Sequence, residues 1–216
     1  MACQVDDLIE EYMNYAFDLR YGYLTSCPTN TGTGLRASFM IHLPCLYAAD
    51  SLKKLLLQLR KYGVVLRGIY GEGTAPVGGI YQISNQTTLG KSEEEIINAL
   101  QNMTKTVLDY EAKAYEAKLT KDRELTEDRI YRAHAILANC RKISAQEAME
   151  CLAEVRFGYI SQILNKPKPE KLIYHIMMEV RPGHIQRVFG NGKEMSENER
   201  DIKRATYLRE TFDISG

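Results

Sequence analysis

Residues Tyr23-Leu-Thr-Ser-Cys-Pro-Thr-Asn-Thr-Gly-Thr-Gly-Leu-Arg36 constrain this chain more than any other stretch. They set one cysteine inside a loop of hydroxyls and glycines and end in an arginine where an apolar strand begins. Ser26 and Thr29 flank Cys27 and are able to hydrogen-bond a thiolate. Gly32 and Gly34 are able to turn backbone N–H groups toward an anion. Arg36 is able to fork two N–H donors onto phosphate oxygens. A thiolate, an anion nest and an arginine suit a site that handles a cation and a polyphosphate. Cys27 also has a plainer reading, a buried structural cysteine, which is the common fate of a free thiol.

Composition narrows the setting. Lysine plus arginine and aspartate plus glutamate both number 28, so bulk charge points to neither nucleic acid nor a membrane surface. No apolar run approaches the roughly 20 residues of a membrane span. The start of the chain, Met-Ala-Cys-Gln-Val-Asp-Asp, has neither the basic region nor the apolar region of a signal peptide. The 5 cysteines form no CxxC pair and no Cys/His cluster, so neither a disulfide framework nor a metal site is indicated, and a cytoplasmic location is expected.

Apolar spacing predicts an amphipathic helix over Val5 to Leu19 and a short buried strand from Ala37 to Leu43, ended by Pro44. A helix from Asp50 or Ser51 to Tyr62 follows, stopped by Gly63, then strands at Val64 to Tyr70 and Ile80 to Ser84. Between these strands lies the glycine-rich loop Gly71 to Gly79. Ser92 and Glu95 form a capping box for a long helix from Glu93 to about Leu119. Beyond Thr120 no strand pattern appears, and helices are expected near 126–140, 144–164, 169–179 and 196–212. The fold class is therefore α+β, with a mixed domain over 1–119 and a helical domain over 120–216.

Three further groups carry chemistry. Arg36 and Arg67 sit among apolar strand residues, where charge is rare unless paired. They read either as a phosphate clamp or as structural ion pairs with a carboxylate such as Asp18. Glu72 is either a solvated loop charge or a lid carboxylate. Arg200, Lys203 and Arg204 share one helical face and form either a solvated basic face, with Asp201 as partner, or a phosphate-binding patch.

The loop ending at Arg36 resembles the signature of the ATP:guanido phosphotransferases, the creatine and arginine kinase superfamily. The likeness continues through Leu66-Arg-Gly68 and Gly79 to Glu94. Tyr70-Gly-Glu-Gly73, Ile83 to Gly90 and Arg200-Asp-x-x-Arg-Ala205 resemble its bacterial protein arginine kinase branch. The resemblance implies part of a catalytic domain, with an antiparallel sheet flanked by helices, followed by an all-α subdomain. It implies ATP, with Mg2+ carried by the nucleotide and no protein-bound metal. Cys27 and Glu72 would engage the guanidinium, and Arg36 and Arg67 the phosphates. Arg200, Asp201 and Arg204 would bind phosphoarginine at a regulatory site. Met40 departs from the family, falling where creatine kinases carry a histidine near the adenine. The implied substrates are proteins with exposed arginine, in bacterial protein quality control and stress response. The resemblance leaves room for an activator protein, a Clp-type chaperone or protease, and a homodimer. A small-molecule guanidine kinase and a non-catalytic phosphoarginine-binding or dimerisation module are the alternatives. The family's Ser-x-Arg-x-Arg and Asn-Glu-Glu-Asp-His motifs do not occur here, so the chain is expected to correspond to the C-terminal part of such a kinase.

Overall fold

In a computed structural model of the chain, the described residues are 2–47, 55, 59, 61–68, 77–165 and 173–212. Backbone contacts divide it into two units. The first comprises Met1–Ile41, Asp50–Thr74 and Tyr81–Tyr110, and the second His42–Ala49, Ala75–Ile80 and Glu111–Gly216.

The first unit begins with helix α1, Ala2–Glu10. The helix expected to reach Leu19 stops there, because the following residues are drawn into an antiparallel pair. Strand β1, Phe17–Asp18, pairs with β2, Gly22–Tyr23. Asp18 accepts from the backbone N–H of Arg20 at 2.8 Å and Tyr21 at 3.2 Å, and Gly22 takes φ +74, so the hairpin turn is locally encoded. Tyr15 and Tyr23 donate to Asp6 and Glu10, both at 3.0 Å, which folds the hairpin back toward the helix. Apolar residues of the expected amphipathic helix are exposed here, Tyr12 at 82% and Met13 at 62%.

The main sheet has the order β3-β5-β4, with β3 at Ser38–His42, β4 at Val64–Gly68 and β5 at Ile80–Asn85. Strands β4 and β5 run antiparallel, with Arg67 opposite Gln82. Ile83 in the central strand is fully buried. Strand β3 is an edge strand of the described sheet, and Phe39 and Met40 are exposed, which corrects the expectation of a buried strand. Leu55, Leu59 and Lys61 are helical, with both leucines buried, and Gly63 ends that stretch at φ +70. Helix α3, Glu93–Lys121, opens on the expected capping box: the Ser92 N–H donates to Glu95 at 2.8 Å and the Glu95 N–H to Ser92 at 3.2 Å.

The second unit is helical apart from its short share of the sheet strands. It contains α2 (Pro44–Tyr47), α4 (Arg123–Asn139), α5 (Ala145–Ile160), α6 (Ile173–Glu179), α7 (Pro182–Phe189) and α8 (Glu197–Phe212). Helix α4 packs on both α5 and α8. Ile130, Leu137, Leu152, Ile176 and Leu208 are fully buried and form its apolar interior. Helix α5 ends before the expected 164, because Ser161 bonds back to the Phe157 carbonyl at 2.8 Å and Gln162 turns to φ 60. Helix α7 was not expected. Pro182 occupies its first turn, where a missing N–H costs nothing.

Candidate functional site

The cysteine loop is a short 3₁₀ turn, Pro28–Asn30, with Cys27 at its N-cap. The Cys27 thiol is exposed and lies 3.0 Å from the Thr29 hydroxyl, one of the two flanking hydroxyls the sequence singled out. Thr25 donates to the Cys27 carbonyl at 2.6 Å. The other glycine-loop expectation is corrected. The Gly32 N–H donates to the Tyr23 carbonyl and the Gly34 N–H to the Asn30 carbonyl, both at 3.1 Å, so neither is offered to an anion. Gly32 is needed for close approach instead: a Cβ there would sit 2.8 Å from the Thr88 carbonyl oxygen.

Thr88 holds this loop, and sequence reasoning missed it. Its hydroxyl is buried and donates to the carbonyls of Thr31 at 2.7 Å and Thr29 at 3.1 Å. Asn85 was missed in the same way. Its side-chain oxygen accepts from the Ala37 N–H at 2.8 Å, and its nitrogen donates to the Leu35 carbonyl at 3.0 Å. One amide thus grips the backbone on both sides of Arg36.

Arg36 itself is exposed, and among the described residues its guanidinium has no hydrogen-bond or ion-pair partner. The proposed pairing with Asp18 does not occur. Asp18 instead faces Arg20 at 3.8 Å. Arg36 lines a cavity of about 640 Å³ with Asp6, Thr25, Thr33 and Glu93. Cys27 is not among the walls of that cavity. Arg67 is half-buried on β4, directly across from Gln82, whose amide donates to Ser38 on β3 at 2.9 Å. Residues directly opposite in a sheet share a face, so Arg67, Gln82 and Ser38 form a polar row across all three strands. Glu72 lies outside the described residues.

The C-terminal arginines separate in the structure. Arg204 is buried and donates to the Val180 carbonyl at 2.7 Å, the Ile143 carbonyl at 2.8 Å and Asp201 at 2.5 Å. This corrects the reading of a solvated basic face, because Arg204 fastens the ends of neighbouring segments to α8. Arg200 is half-buried, donates to the Met195 carbonyl, and lines a cavity of about 610 Å³ with Arg187 and Lys193.

Cys45 is buried, and desolvation pushes its thiol up to about 12, as expected of a structural cysteine. His42 is buried between Arg156, whose guanidinium lies 2.7 Å from Nδ1, and the Gly78 carbonyl, 3.0 Å from Nε2. Burial first and the adjacent guanidinium second lower its pKa to about 3. Its ring is therefore neutral, with Nε2 donating to Gly78. Among the described residues no three His, Cys, Asp or Glu side chains group so as to hold a metal ion, and no helix is long and apolar enough to cross a membrane.

Residues 1–114 match the family described as ATP:guanido phosphotransferase, C-terminal catalytic domain. Residues 123–216 match the protein-arginine kinase McsB C-terminal domain. A protein-arginine kinase of Bacillus subtilis (strain 168) is 44% identical over 213 residues, which are 99% of this chain and 58% of the relative. One from Moorella thermoacetica is 45% identical over 210 residues, covering 97% of this chain and 59% of the relative. The chain thus spans somewhat under 60% of the length of these relatives. A lombricine kinase crystal structure is 37% identical, with a TM-score of 0.44 over 52% of this chain and 30% of that one.

Proposed function

This chain belongs to the ATP:guanido phosphotransferase family, and from that premise we propose that it serves as a protein arginine kinase, with residues 1–119 as catalytic part and 120–216 as helical domain. The γ-phosphoryl of ATP passes to a guanidinium nitrogen of an arginine in a target protein. The bond from γ-phosphorus to the bridging oxygen breaks, a P–N bond forms, the nitrogen loses a proton, and ADP leaves. Such transfer is mostly positioning and charge stabilisation. Arg36 and Arg67 hold phosphate oxygens, and Cys27 and Glu72 engage the guanidinium. Mg2+ carried by the nucleotide would supply shielding of its phosphate charge.

The observation that carries this reading is Arg36. Its guanidinium is exposed and has no hydrogen-bond or ion-pair partner among the described residues, while Asn85 fixes the backbone on either side of it. A free cation on a braced backbone suits an incoming anion. A cytoplasmic bacterial setting, protein quality control under stress, an activator protein and a Clp-type partner belong to the same proposal.

The test is transfer from γ-labelled ATP to an arginine-containing acceptor protein. The expected label is acid-labile, as a P–N bond is, and is lost in Arg36→Ala and Cys27→Ala. Acid-stable label on hydroxyl groups, or full transfer by Arg36→Ala, would overturn the reading. Label on free arginine but not on protein would make it a small-molecule guanidine kinase. A second reading, a phosphoarginine-binding module, is favoured by the cavity that Arg200 shares with Arg187 and Lys193. Phosphoarginine binding lost in Arg200→Ala, with no transfer by the unsubstituted chain, would select it.

A further inference from the structure

Helices α4 and α5, with Pro44 and Tyr47, wall a groove of about 440 Å³ in the helical unit. Its floor is apolar, formed by Pro44, Ala133, Ile136 and Ala153. Arg129 and Arg132 stand on one rim, Glu150 and Glu154 on the other. The two carboxylates are engaged. Glu150 accepts from Gln146 at 3.0 Å, and Glu154 faces Lys118 at 3.5 Å. The two arginines are exposed, and among the described residues neither has a hydrogen-bond or ion-pair partner. The same helix does pair an arginine where a carboxylate lies in reach, Arg123 with Glu127 at 2.8 Å.

Arg129 and Arg132 are one turn apart on one face. Leu125 and Ile136, 54% and 39% exposed, extend that face at either end. The stripe Leu125, Arg129, Arg132, Ile136 therefore runs about 16 Å along the helix, at 1.5 Å per residue.

We propose that this groove docks a short amphipathic segment of a partner protein, which lays an apolar side chain on the floor and meets Arg129 and Arg132 with carboxylates. Charge complementarity selects that occupant. Two guanidinium forks with free donors match planar carboxylates. The apolar floor demands hydrocarbon that a free phosphate or nucleotide phosphate lacks. The chain carries no net charge, so no wider basic field draws in nucleic acid. Helix-in-groove recognition reads anchors at this helical spacing. The inference stands on the helical unit alone and does not rest on the kinase reading.

Fluorescence anisotropy with the full chain tests it. The probe is a fluorescein-labelled peptide Gly-Glu-Leu-Ala-Glu-Leu-Phe-Ala-Gly, with a control in which both glutamates are lysine. Saturable binding of the acidic peptide is expected, weakening as salt rises. The double variant Arg129→Glu, Arg132→Glu should weaken it by about ten-fold or more and should gain affinity for the lysine peptide. Both residues are exposed and without partners among the described residues, so an unchanged circular dichroism melt shows that the variant is folded. Failure of the acidic peptide to bind, equal binding of both peptides, or indifference to the double variant would overturn the proposal. So would complete displacement by inorganic phosphate at constant ionic strength, the mark of a plain anion site. Self-association of the chain that the double variant abolishes, without peptide binding, would assign the groove to a second copy and equally overturn it.

Discussion

Arg36 in the first unit and Arg204 in the helical unit are the same residue type in opposite circumstances. Arg36 is exposed and has no partner among the described residues, while Asn85 fixes the backbone around it. Arg204 is buried, and its own guanidinium is consumed by two carbonyls and Asp201. In the first case the protein organises itself around a cation it does not use. In the second the cation organises the protein. A sequence motif assigns both arginines to ligand binding, but only a guanidinium with free donors can take a phosphate without first breaking the fold. Arg200, with a cavity before it, resembles Arg36 more than it resembles Arg204.

The sharpest way to break this comparison is to remove the buried member. Arg204→Leu leaves Asp201 without its cation and two carbonyls without donors. Deleting one partner of a buried pair costs about 3–5 kcal/mol, so the denaturation midpoint of the helical unit should fall steeply. A loss below about 1 kcal/mol would mean that the cluster is solvated, and Arg204 would then be free to bind a ligand. The reciprocal substitution, Arg36→Ala, should change stability by no more than about 0.5 kcal/mol, as is usual for an exposed side chain. Its effect belongs to chemistry. Under the kinase reading, loss of one charge-stabilising group lowers transfer by about 10²- to 10³-fold, measured with γ-labelled ATP. A stability loss matching that of Arg204→Leu would erase the distinction.

Much of this contrast lies beyond local sequence. The capping box at Ser92 and Glu95 is legible because both partners sit within one turn, and the structure realises both bonds. The strands and the cysteine loop are legible for the same reason: alternation, glycine and proline act locally. Asn85 and Thr88 are not, because they act on backbone 48 and 57 residues away, and no spacing rule connects an amide to a distant carbonyl. The Val5 to Leu19 pattern fits a helix along its whole length, but pairing of Phe17 with Tyr23 takes its second half into a hairpin. Periodicity put Arg200 and Arg204 on one face without showing which would be covered. That depends on Ile143 and Val180, which arrive from other segments.

The next prediction probes the helical unit by pH. His42 is held neutral in the fold, with its pKa lowered to about 3, whereas an unfolded histidine titrates near 6.5. Between those values the unfolded chain binds the extra proton, so stability rises with pH. The contribution is fully present above about pH 6.5 and is lost progressively as pH falls toward 3. At 1.36 kcal/mol per unit, going from pH 6.5 to 5 costs on the order of 2 kcal/mol. His42→Gln retains a donor for Gly78 and an acceptor for Arg156 without the titration, so its stability should be flatter over that range. An equal pH slope in wild type and variant would mean that other groups carry the dependence.

Thr88 gives the finest test, because it is a buried polar group of the kind that builds the helical unit, placed under the exposed cysteine loop. Its single hydroxyl proton serves the carbonyls of Thr31 and Thr29, the nearer bond being to Thr31. Thr88→Val keeps the shape and removes that proton, leaving two carbonyls of the turn without their donor. The expected loss is about 1–2 kcal/mol, near the lower end for a buried acceptor left unpaired, since Thr29 keeps part of its solvation. If the loop is braced as Arg36 is, this loss should not stay local. The turn that sets Cys27 beside Thr29 would loosen, and the rate of Cys27 alkylation by iodoacetamide should change with it, while Thr88→Ser restores both stability and rate. A stability loss with an unaltered alkylation rate would separate the two roles, leaving Thr88 as packing and the cysteine loop as a structure that stands without it.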